Sequence, residues 1–213
     1  MRLMAGLVVV LVGCASPAPD PGPTPAPGSV RAALVDAGAA LAVSPRSGGE
    51  VTARVWRGGW QAGQVDLAVA GGDLLLSADR DGRLRVDELA LALAPVPLPD
   101  EVFGQPARLT DLAVELAADA APAPTRWFGG DAATADVTLD LRLRWSLDTD
   151  GRVTPLGPVT LTDLPVALAI DGTPAAIHAT VGLRADGTLW SWAHLVELAD
   201  LTLALDAEGA AAP

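Results

Sequence analysis

The octet Leu161-Thr162-Asp163-Leu164-Pro165-Val166-Ala167-Leu168 belongs to a pattern that the chain uses four times. The shared form is an apolar residue, any residue, an acid, leucine, any residue, valine or leucine, any residue, leucine. The other copies begin at Val86, Leu109 and Leu198. The last five positions alternate with period two, as in a strand with one buried face. The first apolar residue is out of phase, so we expect a bend, bulge or change of strand there, with the acid left in water at the kink.

Period-two alternation continues through most of the chain after residue 50. The clearest strand runs from Val137 to Leu147, where every odd position is apolar and every even position is polar. One face of such a strand must be covered, while the other meets water. Shorter runs of the same kind occupy residues 51–55, 65–69, 73–78, 83–86 and 177–183. The sequence therefore predicts a mainly β fold with an antiparallel sheet, and leaves open whether it is a curved open sheet, a barrel-like sheet or a sandwich.

Three Asp-Gly pairs lie between strand-like runs: Asp81-Gly82, Asp150-Gly151 and Asp186-Gly187. Asp-Gly favours type I′ hairpin turns, because glycine accepts positive φ. Each pair precedes one of the repeated octets. We therefore expect a hairpin at each pair, followed by an octet strand.

One helix is predicted, before the sheet, over residues 29–43. Ser29 can cap its first turn by accepting a backbone hydrogen bond. The apolar residues fall on one face at helical spacing; they are Val30, Leu34, Ala37 and Leu41. Gly38 weakens the helix, since glycine lowers helix propensity.

The first thirteen residues have the order of a secretory signal. Met1-Arg2 is a short positive region, and residues 3–12 are almost wholly apolar but too few to span a bilayer as a mature helix. The closing residues Leu11-Val12-Gly13-Cys14 resemble the lipobox of bacterial lipoproteins. The resemblance implies that Cys14, the single cysteine of the chain, becomes a lipidated N-terminus once residues 1–13 are removed.

Lipidation of Cys14 would determine where the protein resides. In lipoproteins of this kind the cysteine has three acyl chains, and at about 0.8 kcal/mol per buried methylene these hold a protein to a membrane. Ala15 stands where an aspartate, in the enterobacterial sorting rule, retains a lipoprotein at the inner membrane. The resemblance therefore implies a lipid-anchored protein of the bacterial cell envelope, in the outer membrane.

Residues 14–28 are predicted to link the anchor to the folded domain. Six prolines at alternate positions from Pro17 to Pro27 forbid helix and favour polyproline II. At about 3.1 Å per residue, the stretch reaches up to about 40 Å. The alternative interpretation is a proline-rich ligand for the groove of another protein.

Residues 29–213 are predicted to fold as one β-rich domain, with a division into two halves near residues 117–135 as the alternative. That stretch is irregular and contains Trp127-Phe128. The pair either forms a contact site for a partner or folds back to cap the open end of a sheet. Because the single cysteine lies in the signal region, no disulfide is available and the core must hold the fold.

The mature chain is strongly acidic. Removal of residues 1–13 takes away Arg2, so thirteen arginines remain against twenty-six acidic residues, a formal net charge near −13. Such a surface argues against nucleic acid as a partner and against adhesion to anionic lipid headgroups. Membrane association is therefore expected through the N-terminal lipid.

The sequence offers no catalytic constellation, so we do not expect an enzyme. His178 and His194 are its two histidines, and neither belongs to a metal-site spacing. No Gly-x-Ser-x-Gly motif is present, and the usual nucleophiles are few in a chain without lysine. Calcium is the one cofactor that a local pattern suggests.

That pattern runs from residue 77 to residue 88. Its spacing resembles the EF-hand calcium loop, with oxygen-bearing residues at positions one, three and five, glycine at six and glutamate at twelve. The resemblance implies a calcium site with Ser77, Asp79, Asp81 and Glu88 as ligands. Serine replaces the family's aspartate at position one, and the flanks are strand-like rather than helical. The competing interpretation is an Asp-Gly hairpin with solvated acids.

The recurring amphipathic strands between residues 51 and 206 resemble the strand repeats of AsmA/TamB-type lipid-transfer proteins of the envelope. There, a long curved sheet forms an apolar trough for acyl chains. The resemblance implies a module that binds lipid or another apolar ligand in a β-sheet groove. The alternative is a structural or protein-interaction lipoprotein with a closed core and no small-molecule ligand, which meets its partner through the acidic surface or the Trp127-Phe128 pair.

Overall fold

The computed structural model describes residues 26–56, 58–100, 104, 106–192 and 196–212. Within these residues the chain forms one short helix, α1 (Val30–Asp36), and eleven strands. The strands are β1 (Ala39–Val43), β2 (Gly48–Trp56), β3 (Trp60–Ala78), β4 (Leu84–Leu93), β5 (Val96–Pro97), β6 (Ala107–Leu116), β7 (Thr125–Phe128), β8 (Ala132–Thr149), β9 (Arg152–Thr173), β10 (Ala176–Trp192) and β11 (Val196–Ala211). The predicted mainly β fold with one N-terminal helix is confirmed.

All eleven strands belong to one antiparallel sheet whose pairings close into a ring. β8, β9, β10 and β11 pair in sequence order, and β11 pairs with both β1 and β2, which both pair with β3. β3 pairs with β4, β4 with β6, and β6 returns to β8. The short strands β5 and β7 attach to β6 and β8. The stretch 117–135 does not divide this sheet, because strands on both sides of it pair directly.

The side chains that face the inside of the ring form the hydrophobic core. In β8, every odd position from Val137 to Trp145 is buried, and Leu141 has no exposed surface at all. Arg142, the next residue, is exposed. Leu147 is only partly buried. The predicted alternation of this strand is therefore confirmed from residue 137 to residue 145.

Each of the four octets contains a β-bulge around its acid, where the register slips by one residue. In three octets the acid itself has a left-handed backbone, with φ of 53° at Asp111, 56° at Asp163 and 52° at Asp200. The extra residue reverses the phase of the strand, so the first and fourth residues of the octet can both face the core. In β4, for example, Val86 and Leu89 are both buried. Of the three predicted alternatives, a bend, a bulge or a change of strand, the structure shows a bulge, with the acid at the kink.

Asp163 gives a direct test of this backbone conformation. Asp163→Val places a β-branched residue at φ 56°, and we expect the free energy of unfolding to fall by about 1–2 kcal/mol, because left-handed backbone is costly for such residues. Asp163→Gly, which accepts this φ freely, should change it by about 0.5 kcal/mol or less. Urea denaturation followed by circular dichroism measures both; equal losses would mean that the backbone at this position is not constrained.

The helix is shorter than predicted, and the second half of the predicted helix is a strand. α1 ends at Asp36, and Gly38 takes a left-handed conformation (φ 74°) that turns the chain. A Cβ at residue 38 would lie 2.9 Å from the backbone oxygen of Leu76, so the turn also needs glycine for space. β1 then pairs with β3 on one side and β11 on the other. Leu41 is therefore a core residue of a central strand, because ladders on both sides outweigh local helix propensity.

α1 covers one end of the ring, which we call the helix end. Val30 and Leu34 are buried, and the Oγ of Ser29 accepts the amide of Ala32 at 3.2 Å, as the predicted cap requires. Arg31 donates to the backbone oxygen of Asp81 at 3.1 Å, which ties the helix to the β3–β4 turn.

Trp127 folds back onto the same end of the ring. Its Nε1 donates to the backbone oxygen of Gly82 at 2.7 Å, and the guanidinium of Arg31 lies 5.9 Å from its ring. Phe128 remains 48% exposed, with the guanidinium of Arg126 at 5.0 Å from its ring. The structure thus supports the capping interpretation for Trp127 and leaves Phe128 at the surface.

Two of the three expected Asp-Gly hairpins are present. Asp150 and Gly151 both have positive φ, 54° and 78°, in the β8–β9 turn, as a type I′ turn requires. In the β3–β4 turn Gly82 has φ 78°, but Asp81 does not have a positive φ, so this hairpin is not of type I′. The prediction for Asp186-Gly187 is wrong, since the pair lies within β10. Gly187 has φ 88° at a register shift, but Asp186 is not among the residues with positive φ that a type I′ turn requires. The pair bends a continuous strand instead of reversing it.

Candidate interaction site

The end of the ring opposite α1, which we call the far end, contains the β2–β3 turn, the β8–β9 turn and the last residues of β10. Cα pairing places the β2–β3 turn beside the end of β10, since Val55 lies opposite Val196 and Val196 lies opposite Trp192. The β8–β9 turn lies beside the start of β6, with Thr149 opposite Ala107. The helix end, by contrast, holds α1 together with the β3–β4 and β9–β10 turns.

At the far end the ring is split between two strands. β9 and β10 pair with each other from Thr173 opposite Ala176 as far as Val166 opposite Leu183. Beyond that point β9 pairs with β8 alone and β10 with β11 alone, as far as the described residues show. We call this split the seam, and its two edges are residues 152–165 of β9 and 184–192 of β10.

The two edges of the seam differ in chemistry. The β9 edge contains Pro155, Pro158 and Pro165, which have no N–H to offer a neighbouring strand, and a bulge at Gly157 (φ 70°). Prolines and bulges are the usual means of protecting an edge from further pairing. The β10 edge has bulges but contains no proline. Its backbone is therefore the more available of the two.

Charged groups accompany the β10 edge. Arg184 Nε donates to Asp186 Oδ1 at 2.7 Å, and this hydrogen bond, with the charge of Asp186, raises the pKa of the exposed guanidinium. Gly187 N donates to Asp200 Oδ1 at 2.8 Å, and the other oxygen of Asp200 accepts from Arg54 at 2.5 Å. The acid of the fourth octet thus holds the bulge of β10 against β11.

Two tryptophans close the interior behind the seam. Trp145 on β8 and Trp190 on β10 meet edge to face, with ring centroids 6.3 Å apart at 88°. β9 lies between β8 and β10 in the order of the ring. The apolar residues of β9 along the seam, Leu156, Val159 and Leu161, are only partly buried against the core, and residues 152–155 of β9 are exposed.

A small apolar cavity lies next to Trp145. Its volume is about 20 Å³, which is room for little more than one water molecule. The lining is apolar and includes Leu109, Leu143, Leu189, Leu198 and Leu201. Trp145 is 5% exposed, and its Nε1 is buried without a hydrogen-bond partner among the described residues. A buried unsatisfied donor costs about 1–3 kcal/mol, so it calls for an explanation.

A second pair of tryptophans is exposed on the outside of the far end. Trp56 and Trp60 flank the β2–β3 turn, each 46% exposed, with ring centroids 5.6 Å apart at 74°. Val153, in the first residues of β9 at the same end, is 53% exposed. Exposed large apolar side chains gathered at one end of a molecule are typical of an interaction surface.

No sequence motif marks these tryptophans as functional residues. A signal for the outer pair was present, because Gly58-Gly59 between Trp56 and Trp60 is typical of a hairpin turn and predicts that the two rings meet. Trp145 carried no such signal, since it reads as one more core residue of an alternating strand.

The proposed calcium ligands do not gather into a site. Ser77 lies in β3 and Glu88 in β4, and the turn between them is a hairpin in which Asp79 Oδ1 accepts the amide of Arg83 at 2.9 Å. The backbone oxygen of Asp81 is taken by Arg31. In the part of the chain that the structure describes, no three His, Cys, Asp or Glu side chains are close enough to hold a metal ion. The geometry thus corresponds to the competing interpretation, an Asp-Gly hairpin with solvated acids.

The remaining singled-out residues are placed as follows. His178 lies on the polar face of β10, 38% exposed, with its Nδ1 at 3.8 Å from Asp171. Cys14 and His194 lie outside the described residues. Of the helical residues described, none belongs to a helix long and apolar enough to cross a membrane.

Comparison with known proteins adds little. No protein-family model matches the chain, and no curated protein matches it. Among solved structures, Ail, the attachment invasion locus protein of Yersinia pestis, aligns over 81% of this chain and 99% of its own, with 10% identity and a TM-score of 0.33. A TM-score this low carries no argument for either fold or function.

Proposed function

We propose that the protein is a lipid-anchored module of the bacterial cell envelope that holds a protein-binding surface away from the membrane. Cys14 is the anchor and residues 14–28 are the spacer, as the sequence predicts. The proposal rests on one observation: the N-terminal side of the ring and the exposed pair of tryptophans lie at opposite ends. The chain enters the described structure at Ala26, beside α1, whereas the exposed tryptophans and the seam lie at the opposite end.

The packed interior favours this function over lipid carriage. The apolar cavity inside the ring measures about 20 Å³, whereas pockets for small ligands occupy about 300–1,000 Å³. The larger groove of about 540 Å³ beside Arg144, Pro155 and Pro158 is open at the surface and partly polar. The inward side chains of the ring, from Leu41 in β1 to Leu205 in β11, are buried against one another. An acyl chain would have to displace this core, while a partner at the outer surface would not.

Site-specific photo-crosslinking in cells tests the proposal. A photoreactive residue at Gln61, exposed beside Trp60 at the far end, should give a protein adduct of defined mass. The same residue at Thr173, exposed at the helix end, should give none. In this proposal the partner buries the two indoles, and their burial stabilises the complex. The double variant Trp56→Ala, Trp60→Ala should therefore reduce the yield of the Gln61 adduct at least about tenfold.

Phe128→Ala is the matched control, because it removes an aromatic ring of similar exposure from the helix end. It should leave the Gln61 adduct unchanged. Adducts of equal yield at Gln61 and Thr173, or a Gln61 adduct that survives loss of both tryptophans, would refute a partner surface at the far end.

A further inference from the structure

We infer that the partner contributes an extended polypeptide segment, which enters the seam and pairs as an additional strand with the β10 edge, residues 184–192. The inference rests on the proposed function and specifies its partner. Three observations support it: a strand edge without proline, an apolar cavity behind that edge, and a buried indole N–H without an acceptor among the described residues.

The strand edge determines the class of partner. An unpaired edge presents a row of N–H and C=O groups that can accept another strand. Prolines protect the β9 side of the seam, as at Pro155 and Pro158, but the β10 side has none. An incoming segment therefore pairs with β10, on the side where β10 and the first half of β9 are not paired with each other.

The cavity determines what the segment presents inward. Side chains of a paired strand alternate between the two faces of the sheet, so every second side chain of the segment points toward Trp145 and Leu189. The cavity is apolar but small, so Trp190, which is only partly buried, must turn away from Trp145 to admit an apolar side chain. An oxygen of the segment then accepts the hydrogen bond that Trp145 Nε1 now lacks.

The charges of the seam bear on what the segment presents outward. Its two edges contain Arg152 and Asp163 on β9, and Arg184 and Asp186 on β10, so the formal charges balance, and Arg184 is already hydrogen-bonded to Asp186. Polar side chains are therefore expected at the outward positions of the segment, without a preference for one sign of charge. An acyl chain would not use the free edge.

The test uses the whole chain in phospholipid nanodiscs and three probes. The first is a ten-residue peptide in which valine alternates with lysine or threonine; the second has prolines at three of its polar positions; the third is palmitate. The first peptide should slow amide hydrogen exchange of residues 184–191 at least about tenfold, while the proline peptide should not, because it cannot complete a ladder. The indole N–H signal of Trp145, assigned by its loss in Trp145→Phe, should shift with the first peptide.

Trp145→Phe should weaken binding of the first peptide about two- to tenfold, the value of one hydrogen bond. Trp127→Phe is the control, because the Trp127 N–H is already bonded to Gly82 at the helix end. Unchanged exchange of residues 184–191 overturns the inference, as does a Trp145 shift with palmitate alone. Slowed exchange at residues 60–64 without any change in 184–191 would retain the far-end surface and reject strand addition.

Discussion

Replacing Leu141 by aspartate is expected to unfold the protein in water at neutral pH. Leu141 is fully buried in β8 and lies between Leu116 of β6 and Leu161 of β9 in the register. An unpaired carboxylate among apolar neighbours costs several kcal/mol, in addition to the lost packing of the leucine. Total stabilities of domains are about 5–15 kcal/mol, so this single change is enough to unfold a marginal one. Far-ultraviolet circular dichroism and urea midpoints measure the effect.

Arg142→Asp is the control, one residue along the same strand. Arg142 is exposed, so the change should lower the free energy of unfolding by well under about 1 kcal/mol. The contrast tests the ring itself, because a sealed core allows no water to reach residue 141. Small and equal losses for the two variants would mean that the inward face of β8 is hydrated, and the closed-core argument against lipid carriage would fail.

The repeated octet shows how much a local pattern can predict. Phase mismatch between Leu161 and Leu164 was enough to predict a bend, bulge or change of strand, because side-chain direction in a strand has a strict period of two. The acid was placed in water at the kink; that it takes a left-handed backbone there was not predicted, although aspartate tolerates this conformation better than most residues do. The register of the ladders and the φ values at Asp111, Asp163 and Asp200 agree with that reasoning.

Local patterns failed where pairing at long range decided the outcome. Residues 39–43 have helical spacing, but they fill the gap between β3 and β11, and Gly38 supplies the turn. Asp186-Gly187 has hairpin composition, but Asp200, thirteen residues after Gly187, accepts the amide of Gly187 and holds this part of β10 against β11. Neither partner can be identified from the segment itself.

The seam could not be predicted because it is a property of two strands together. The sequence shows Pro155, Pro158 and Pro165 within one strand, and prolines of that kind indicate an edge. It does not show which neighbour is missing. In the ring the missing neighbour is the second half of β10, which among the described residues pairs with β11 alone. The prolines therefore protect one edge of a split, and the edge opposite them, which contains no proline, is the one to which we propose that a partner strand pairs.

Cys14→Ser is expected to move the protein from the membrane fraction to the soluble fraction. Residues 11–14 resemble a lipobox, and acyl chains at about 0.8 kcal/mol per buried methylene are the attachment that the sequence offers. Ser16→Ala, two residues along the linker, is the control and should leave the protein in the membrane fraction. Fractionation with palmitate labelling measures both. If the serine variant stays with the membrane in cells where the wild type incorporates palmitate, the acyl chains are not what holds it there, and the far end can no longer be argued to point away from the membrane.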